Sequence, residues 1–527
     1  MILAAIVAAA CLLRVIGISQ KRVMTHDEAI SYLAATGHQG EYAEVLRSQG
    51  FPYGRWVEAK DWQRFLLPEK RFCFKVISRD LADYDIHPPL YFWLLHVWVL
   101  IWGVQVWSGA ALNVALDALL ALVLFVLAKD VLNGRSPALW VVAVWAFNQG
   151  TIAAGSEGRQ YPLLALCTAA LALLVFRYSR PDQELTLVKM VLLLAVTTAG
   201  ALSHYLFFLP VVGAVGFLAL RLWVCDRRRL VKLAIVLLGG YVLFCALHPG
   251  CYRSVMRQHH HTQQFDAHRI PMMLKKAGSS VGMFFAPFAA RALSHGILPP
   301  ELLGLLGLTV LIVLAPRESR KAMAGPGFGL LSWFILTTSL GSIILCITAV
   351  TPSHAAGPKQ FAFAYPFLAF VPFLLPDLTL LRRPRLGLVH ATCILLIFLG
   401  IASEVVTIGL AMRTTYVPPT DSASLPVLVN TESRGYATRL AWQLQSWQPV
   451  LVARQSYLVE HKDVWLSRLN ETGGIYAVRP EEGGGEAADA TIIRLLEQAN
   501  FVQPLSESLW GIMRGYLIVP KGQRAEG

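Results

Sequence analysis

Apolar residues in this chain come in long unbroken runs separated by short polar loops. Runs of about 17 to 25 such residues are long enough to cross a bilayer as helices. Eleven can be read, at about 2–18, 109–128, 137–154, 160–178, 186–203, 204–225, 230–249, 297–315, 328–350, 361–381 and 386–411. The stretch 89–107 is also apolar and long enough, but it carries Tyr91, Phe92, Trp93, His96, Trp98, Trp102 and Trp107. Amphipathic rings favour the water–lipid boundary, so this stretch predicts a helix lying flat in the outer leaflet. From about residue 421 the pattern changes. Pro426–Val429, Pro449–Val452 and Gly474–Val478 read as short strands, with helical patterns over Tyr436–Gln445, Asp463–Asn470 and Thr491–Asn500. That alternation predicts a small α/β domain. The predicted fold class is an all-α polytopic membrane protein of about 11 transmembrane helices with a small C-terminal α/β extracytoplasmic domain. The expected division is 1–411 for the transmembrane part, with 20–108 an extracytoplasmic loop carrying interfacial helices, and 412–527 for the α/β domain. There is no internal repeat, and the glycine run 483–485 reads as a flexible turn.

Composition agrees with a membrane protein. Of 527 residues, 55% are hydrophobic and 15% charged, and the mean hydropathy is +0.52, which excludes an ordinary soluble protein. The formal charge is +13, and its basic residues fall in alternate short loops. Lys129 and Arg135 share one loop; then come Arg177, Arg180 and Lys189, then Arg227, Arg228 and Arg229, then Arg317, Arg320 and Lys321, then Arg382, Arg383 and Arg385. Each group is two runs from the last, so all lie on one side, and the positive-inside rule makes that side cytoplasmic. The loops at Asp27, Arg159 and Lys359 and the C-terminal domain then face outward. The first of these shares that side only if 89–107 does not cross. The outward stretch 250–296 is itself basic, through Arg253, Arg257, Arg269, Lys275, Lys276 and Arg291. An anionic lipid substrate accounts for those charges. No aromatic–basic RNA-binding or helix-turn-helix pattern is present, so nucleic acid is not an expected partner. Eight scattered Cys without a CxxC read as small buried hydrophobes, and nothing in the sequence supports a Cys73–Cys251 disulfide. The first run lacks a basic n-region and reads as a retained span rather than a cleaved signal.

The polar residues between the runs carry the candidate chemistry. Thr25-His26-Asp27-Glu28-Ala29 follows the first run. Asp27 reads equally as a helix N-cap and as a general base that deprotonates a hydroxyl at the membrane surface. In Asp85-Ile86-His87-Pro88-Pro89-Leu90-Tyr91 the prolines suit a helix start, and His87 can touch a substrate phosphate or a metal. Arg159, in Ser156-Glu157-Gly158-Arg159-Gln160-Tyr161, can fork onto phosphate oxygens or snorkel as an interface anchor. Lys359 opens a later run at the same depth as a second cation, and His204, before Tyr205, sits in an outward turn. His259, His260 and His261, with His268, lack zinc spacing and read as solvated loop residues rather than a metal cluster. Asp117 and Glu404 lie inside runs, where acids are functional or pair within the bundle.

Taken in order, Asp27-Glu28 after the first run, the Asp85–Tyr91 motif, Arg159-Gln160-Tyr161 and Pro358-Lys359-Gln360-Phe361 with Tyr365-Pro366 resemble the GT-C superfamily of polytopic glycosyltransferases. The bacterial branch of protein O-mannosyltransferases and lipid A aminoarabinose transferases is the most similar. The resemblance covers roughly residues 1–410. It implies a bacterial inner-membrane enzyme that moves a sugar from a polyprenyl-phosphate donor to an envelope lipid, glycan or protein, with membrane lipids around it. It implies Asp27 as the base and Glu28 as a supporting acid, with Arg159 and Lys359 as phosphate contacts; His87, Tyr161 and His204 join them as substrate-binding candidates. Relatives often show Arg-Tyr where this chain has Lys359-Gln360-Phe361. No cofactor is firmly implied, although His26-Asp27-Glu28 can be drawn as ligands of a divalent metal. Two competing readings are a lipid or solute transporter or flippase without transferase activity, and a non-catalytic assembly protein. The first predicts inverted repeats and interrupted helices at matching positions, which the sequence does not display.

The alternation of basic loops makes a testable topology. A reporter fused after Pro520 should be active only in the periplasm. Cytoplasmic activity there would restore a twelfth crossing at 89–107.

Overall fold

A computed structural model describes residues 1–261, 283–285, 326–341, 358–374, 386–413, 424–431, 435–478, 486–505 and 513–521. It divides into two compact units. The first comprises Met1–Gln20, Asp85–Tyr91 and Gly109–Ala411; the second comprises Lys21–Tyr84, Phe92–Ser108 and Met412–Gly527.

The first unit is helical. Among the described residues, six helices are long and apolar enough to cross a bilayer: Ile2–Ser19, Ser108–Leu132, Tyr161–Tyr178, Tyr205–Leu222, Arg227–Leu247 and Val389–Met412. The expected run 137–154 is instead two helices, Arg135–Ala146 and Gln149–Gly155, bent by 59°. Asn148 makes the break, because its side-chain oxygen caps the second helix at Gly150 N (2.9 Å) while its amide donates to Phe284 O (2.6 Å). The described part of the expected run 361–381 is a tight turn, Pro358–Phe361, followed by Tyr365–Leu368 and Val371–Leu374. Pro366 and Pro372 each remove a backbone donor from what would otherwise be one helix. The run at 297–315 lies outside the described residues. The stretch 89–107 forms Leu90–Trp102, a helix of 13 residues. It rises roughly 20 Å, short of a hydrocarbon core of about 30 Å. Leu94, Val97, Ile101 and Trp102 leave one apolar face of it exposed.

Of the two intramembrane acids, Asp117 pairs within the bundle. Its Oδ2 accepts from Arg14 Nε at 3.0 Å, and Arg14 also donates to Ala146 O at 2.8 Å. Both residues are 5% exposed. Glu404 is also buried, against the first helix: a Cβ on Gly17 would stand 2.9 Å from its Oε1.

The second unit is built on a six-stranded sheet. Its strands are β1 (Val57–Glu58), β2 (Val427–Asn430), β3 (Pro449–Ala453), β4 (Gly474–Val478), β5 (Asn500–Pro504) and β6 (Arg514–Pro520), in the order β1-β3-β2-β4-β6-β5. β2 pairs in parallel with β3 and β4, placing Val427 opposite Val450 and Ile475. These three strands are buried on both faces, which explains their continuous apolar sequence. β6 closes antiparallel on β4 and β5. The remaining edge strand, β1, comes from the first loop and pairs antiparallel with β3. Gly54 N, Ala59 N and Lys60 N bond to Val452 O, Gln448 O and Ser446 O, each at 2.9 Å. Gln63 Nε2 reaches Ala441 O (2.8 Å) and Leu444 O (3.0 Å). The loop read as part of the first domain thus completes the C-terminal sheet. β1 is two residues long and carries no pattern that names its partner.

The Arg14–Asp117 pair supplies a stability test. Asp117→Leu leaves Arg14 buried and uncompensated, which costs about 3–5 kcal/mol. Arg14→Met combined with Asp117→Leu should recover most of that loss in denaturant titrations in detergent micelles. A double variant as unstable as Asp117→Leu alone would contradict the pairing.

Candidate active site

The sequence-derived candidates fall into two groups, one in each unit. Asp27 and Glu28 open the helix His26–Thr36 of the second unit. The N-cap is Thr25, not Asp27. Thr25 Oγ1 accepts from Glu28 N at 3.3 Å, and Glu28 Oε2 accepts from Thr25 N at 2.8 Å, a reciprocal capping box. Glu28 is fully buried, and its Oε1 forms an ion pair with Lys21. Both of its oxygens are therefore engaged in holding the turn. Asp27, half-buried, stands one residue inside the helix start. The capping alternative for Asp27 is thus taken by Thr25, whose hydroxyl three residues before Glu28 is the sequence signature of a capping box.

The same contacts bear on a metal at His26-Asp27-Glu28. Glu28 has both oxygens engaged, and the His26 ring lies 4.7 Å from that of Tyr436. Among the described residues no group of three His, Cys, Asp or Glu side chains is arranged to hold a metal ion. The triplet does not fit a metal. His259, His260 and His261 end the helix Cys251–His261, but their side chains and His268 lie outside the described residues. Cys73 and Cys251 are free thiols.

In the first unit, four of the candidates converge. Arg159 is 5% exposed, and its guanidinium lies 3.3 Å from His87 Nε2. His87 Nδ1 lies 2.5 Å from Asp85 Oδ1. A guanidinium only donates, so His87 Nε2 accepts and its proton sits on Nδ1, directed at Asp85. Asp85 is thereby linked to Arg159 through one imidazole. The His204 ring is 5.7 Å from His87 and 5.6 Å from Tyr161. His204 stands in the turn between the helices Leu187–Ser203 and Tyr205–Leu222, and its Nδ1 accepts from Leu206 N at 3.0 Å. That contact leaves the His204 proton on Nε2. His204 is both a cap and part of the cluster.

Three further residues, outside the candidate set, build this cluster. Asn113, buried within the helix Ser108–Leu132, donates to Glu157 O (2.5 Å) and Arg159 O (3.1 Å). It pins the turn that carries Arg159. Glu157 receives Lys359 Nζ at 3.1 Å, which brings Lys359 to the same turn with its charge already paired. Ser254 donates to Asp85 O at 3.1 Å. Only Asn113 gave a readable signal, as an amide inside an apolar run. A buried guanidinium with imidazole N–H and phenol groups around it is a donor-rich set suited to an anion's oxygens.

No protein-family model matches the chain, and no curated protein matches it. Among solved structures, the chain is similar to ArnT from Cupriavidus metallidurans bound to undecaprenyl phosphate, at 12% identity and a TM-score of 0.46 over 98% of this chain and 97% of that one. It is similar to the apo state of that protein at 13% identity and a TM-score of 0.44, with the same coverage. It is also similar to the arabinosyltransferase EmbB from Mycobacterium smegmatis, at 13% identity and a TM-score of 0.33, over 78% of this chain and 41% of that one. Identity this low assigns no activity.

The cluster has a pH signature. Burial first, then the neighbouring His87 and Arg159, hold the His204 imidazole well below its ordinary value. The unfolded chain therefore binds a proton at this ring before the folded chain does. Stability is full above the unfolded value of about 6.5 and is lost as pH falls below it. The unfolding midpoint should drop on acidification from that point, and His204→Asn, which keeps the cap, should flatten the drop. An unchanged slope in His204→Asn would place the acid sensitivity elsewhere.

Proposed function

We propose that this protein is an integral-membrane glycosyltransferase. It moves a sugar from a polyprenyl-phosphate donor to an envelope lipid, glycan or protein, with inversion at the anomeric carbon. The observation that carries this reading is the buried Arg159 guanidinium, backed by His87 and Asp85, with His204 beside His87 and Tyr161 beside His204. Such a set binds an anion, and in a chain of apolar helices the anion at hand is a lipid-borne phosphate. The basic loop compositions support an active site that faces the periplasm from the inner membrane.

The acceptor hydroxyl attacks the anomeric carbon in line with the phosphate. The bond between that carbon and the phosphate oxygen breaks, and its electron pair leaves on the polyprenyl phosphate. Arg159 stabilises the growing negative charge. Lys359, held by Glu157 in the resting protein, supplies a second cation. Asp27 takes the hydroxyl proton as it develops acidity. Inversion needs one base and no covalent intermediate. Glu28 supports Asp27 by fixing its turn. No step is assigned to a metal.

Two substitutions test the two halves of this chemistry. Asp27→Asn keeps the side-chain shape but cannot accept the proton, so turnover should fall about 10²–10⁴-fold with donor binding intact. Wild-type turnover in a folded Asp27→Asn protein would end its role as base. Arg159→Ala should instead weaken donor binding by about 1.5–3 kcal/mol. Arg159→Lys should recover part of it, because the fork is lost but the charge stays. Unchanged donor affinity in Arg159→Ala would leave Arg159 a structural ion.

A further inference from the structure

The turn that carries Asp27 is gripped by a short helix from the far end of the chain. Gly435 adopts a φ of 82°, the left-handed region, and starts the helix Tyr436–Ala441. A Cβ on Gly435 would stand 3.3 Å from Ile30 Cγ1 and 3.5 Å from both His26 Nδ1 and His26 O. Helix and turn therefore meet almost backbone to backbone. The Tyr436 ring lies 4.7 Å from the His26 ring. Arg439, 9% exposed, donates through Nε to the carbonyl of Met24, the residue before the N-cap Thr25. Its guanidinium also lies over the Tyr436 ring at 5.6 Å. The grip is anchored at its other end, because Gln63 Nε2 donates to Ala441 O and the helix lies between β2 and β3 in sequence.

These contacts fall on the residues flanking Asp27. The capping box and Lys21 fix the turn from within, while Arg439 and Tyr436 fix it from outside. We infer that Tyr436 and Arg439 are positioning residues for Asp27, and that the C-terminal α/β domain holds the proposed base in place for the transfer reaction. The inference rests on Asp27 being the base. A carboxylate that must meet one hydroxyl tolerates little drift, since a misplacement of about 1 Å can cost roughly 100-fold in rate. Arg439 and Tyr436 then act on turnover through Asp27 without touching donor or acceptor.

The test separates the grip from the chemistry. A nitroxide is attached at Asp27→Cys in the full-length chain with its native cysteines replaced, and a control label is attached at the exposed position Glu460→Cys. Arg439→Gln and Tyr436→Ala should each raise label mobility at position 27 and leave the control unchanged. In the chain that keeps Asp27, the same variants should lower turnover about 10- to 100-fold while the KM for a polyprenyl-phosphate sugar stays within about twofold. Arg439→Lys, which keeps a donor for the Met24 carbonyl, should be intermediate in both, and it decides the matter if Arg439→Gln does not fold. Unchanged mobility at position 27 overturns the grip, whatever the activity of Asp27→Asn. Raised mobility with unchanged turnover, in a chain where Asp27→Asn is inactive, overturns the positioning role. Full activity in Asp27→Asn with raised mobility overturns the positioning role together with the reading of Asp27 as base, and leaves the grip as a structural contact.

Discussion

A guanidinium taken out of water has to be matched by nearby acceptors, because desolvating it costs several kcal/mol. Arg159 is buried to this degree, and a few neighbouring residues answer that demand. His87 presents an acceptor nitrogen only because Asp85 takes its other proton, and Ser254 steadies the Asp85 backbone. Asn113 donates to the Arg159 and Glu157 carbonyls, so the turn cannot swing the charge away. His204 is kept neutral beside this cation, which prevents two like charges from facing each other. An anionic ligand would join a site whose positive charge is already placed, so its binding would need little reorganisation.

The second unit applies the same logic to a carboxylate. A helix N-terminus favours negative charge, and the turn at Thr25–Glu28 has two acids in its first turn. Glu28 is buried and paired with Lys21, so it serves the fold. Asp27 is half-buried and is not the cap. Two adjacent residues of the same chemical kind thus have different environments.

The sequence was legible where one residue type sufficed to read chemistry. The order Asp27, His87, Arg159, Tyr161, His204 pointed to polar groups on one membrane face, and the structure gathers the last four into one cluster. The three parallel strands were visible as apolar runs buried on both faces. The rest depended on partners far away in the chain. β1 pairs Val57 with Val450, 393 positions later in the chain, and two residues hold no pattern that names such a partner. The N-cap went to Thr25 because its hydroxyl and Glu28 satisfy each other, a pairing that outweighs the start signal at Asp27. The bend at Asn148 and the short helices around Pro366 and Pro372 show polar and proline positions overriding a hydropathy run.

Sugar transfer and lipid transport across the bilayer leave different products. The most direct measurement is nuclear magnetic resonance of the products after the purified protein, in proteoliposomes, meets a panel of anomerically defined, labelled polyprenyl-phosphate sugars and membrane extract. Transfer with inversion predicts labelled sugar on an acceptor with the opposite anomeric configuration, and free polyprenyl phosphate in equal amount. Donor lipid recovered intact on the other leaflet, with no labelled acceptor for any donor in the panel, would contradict it.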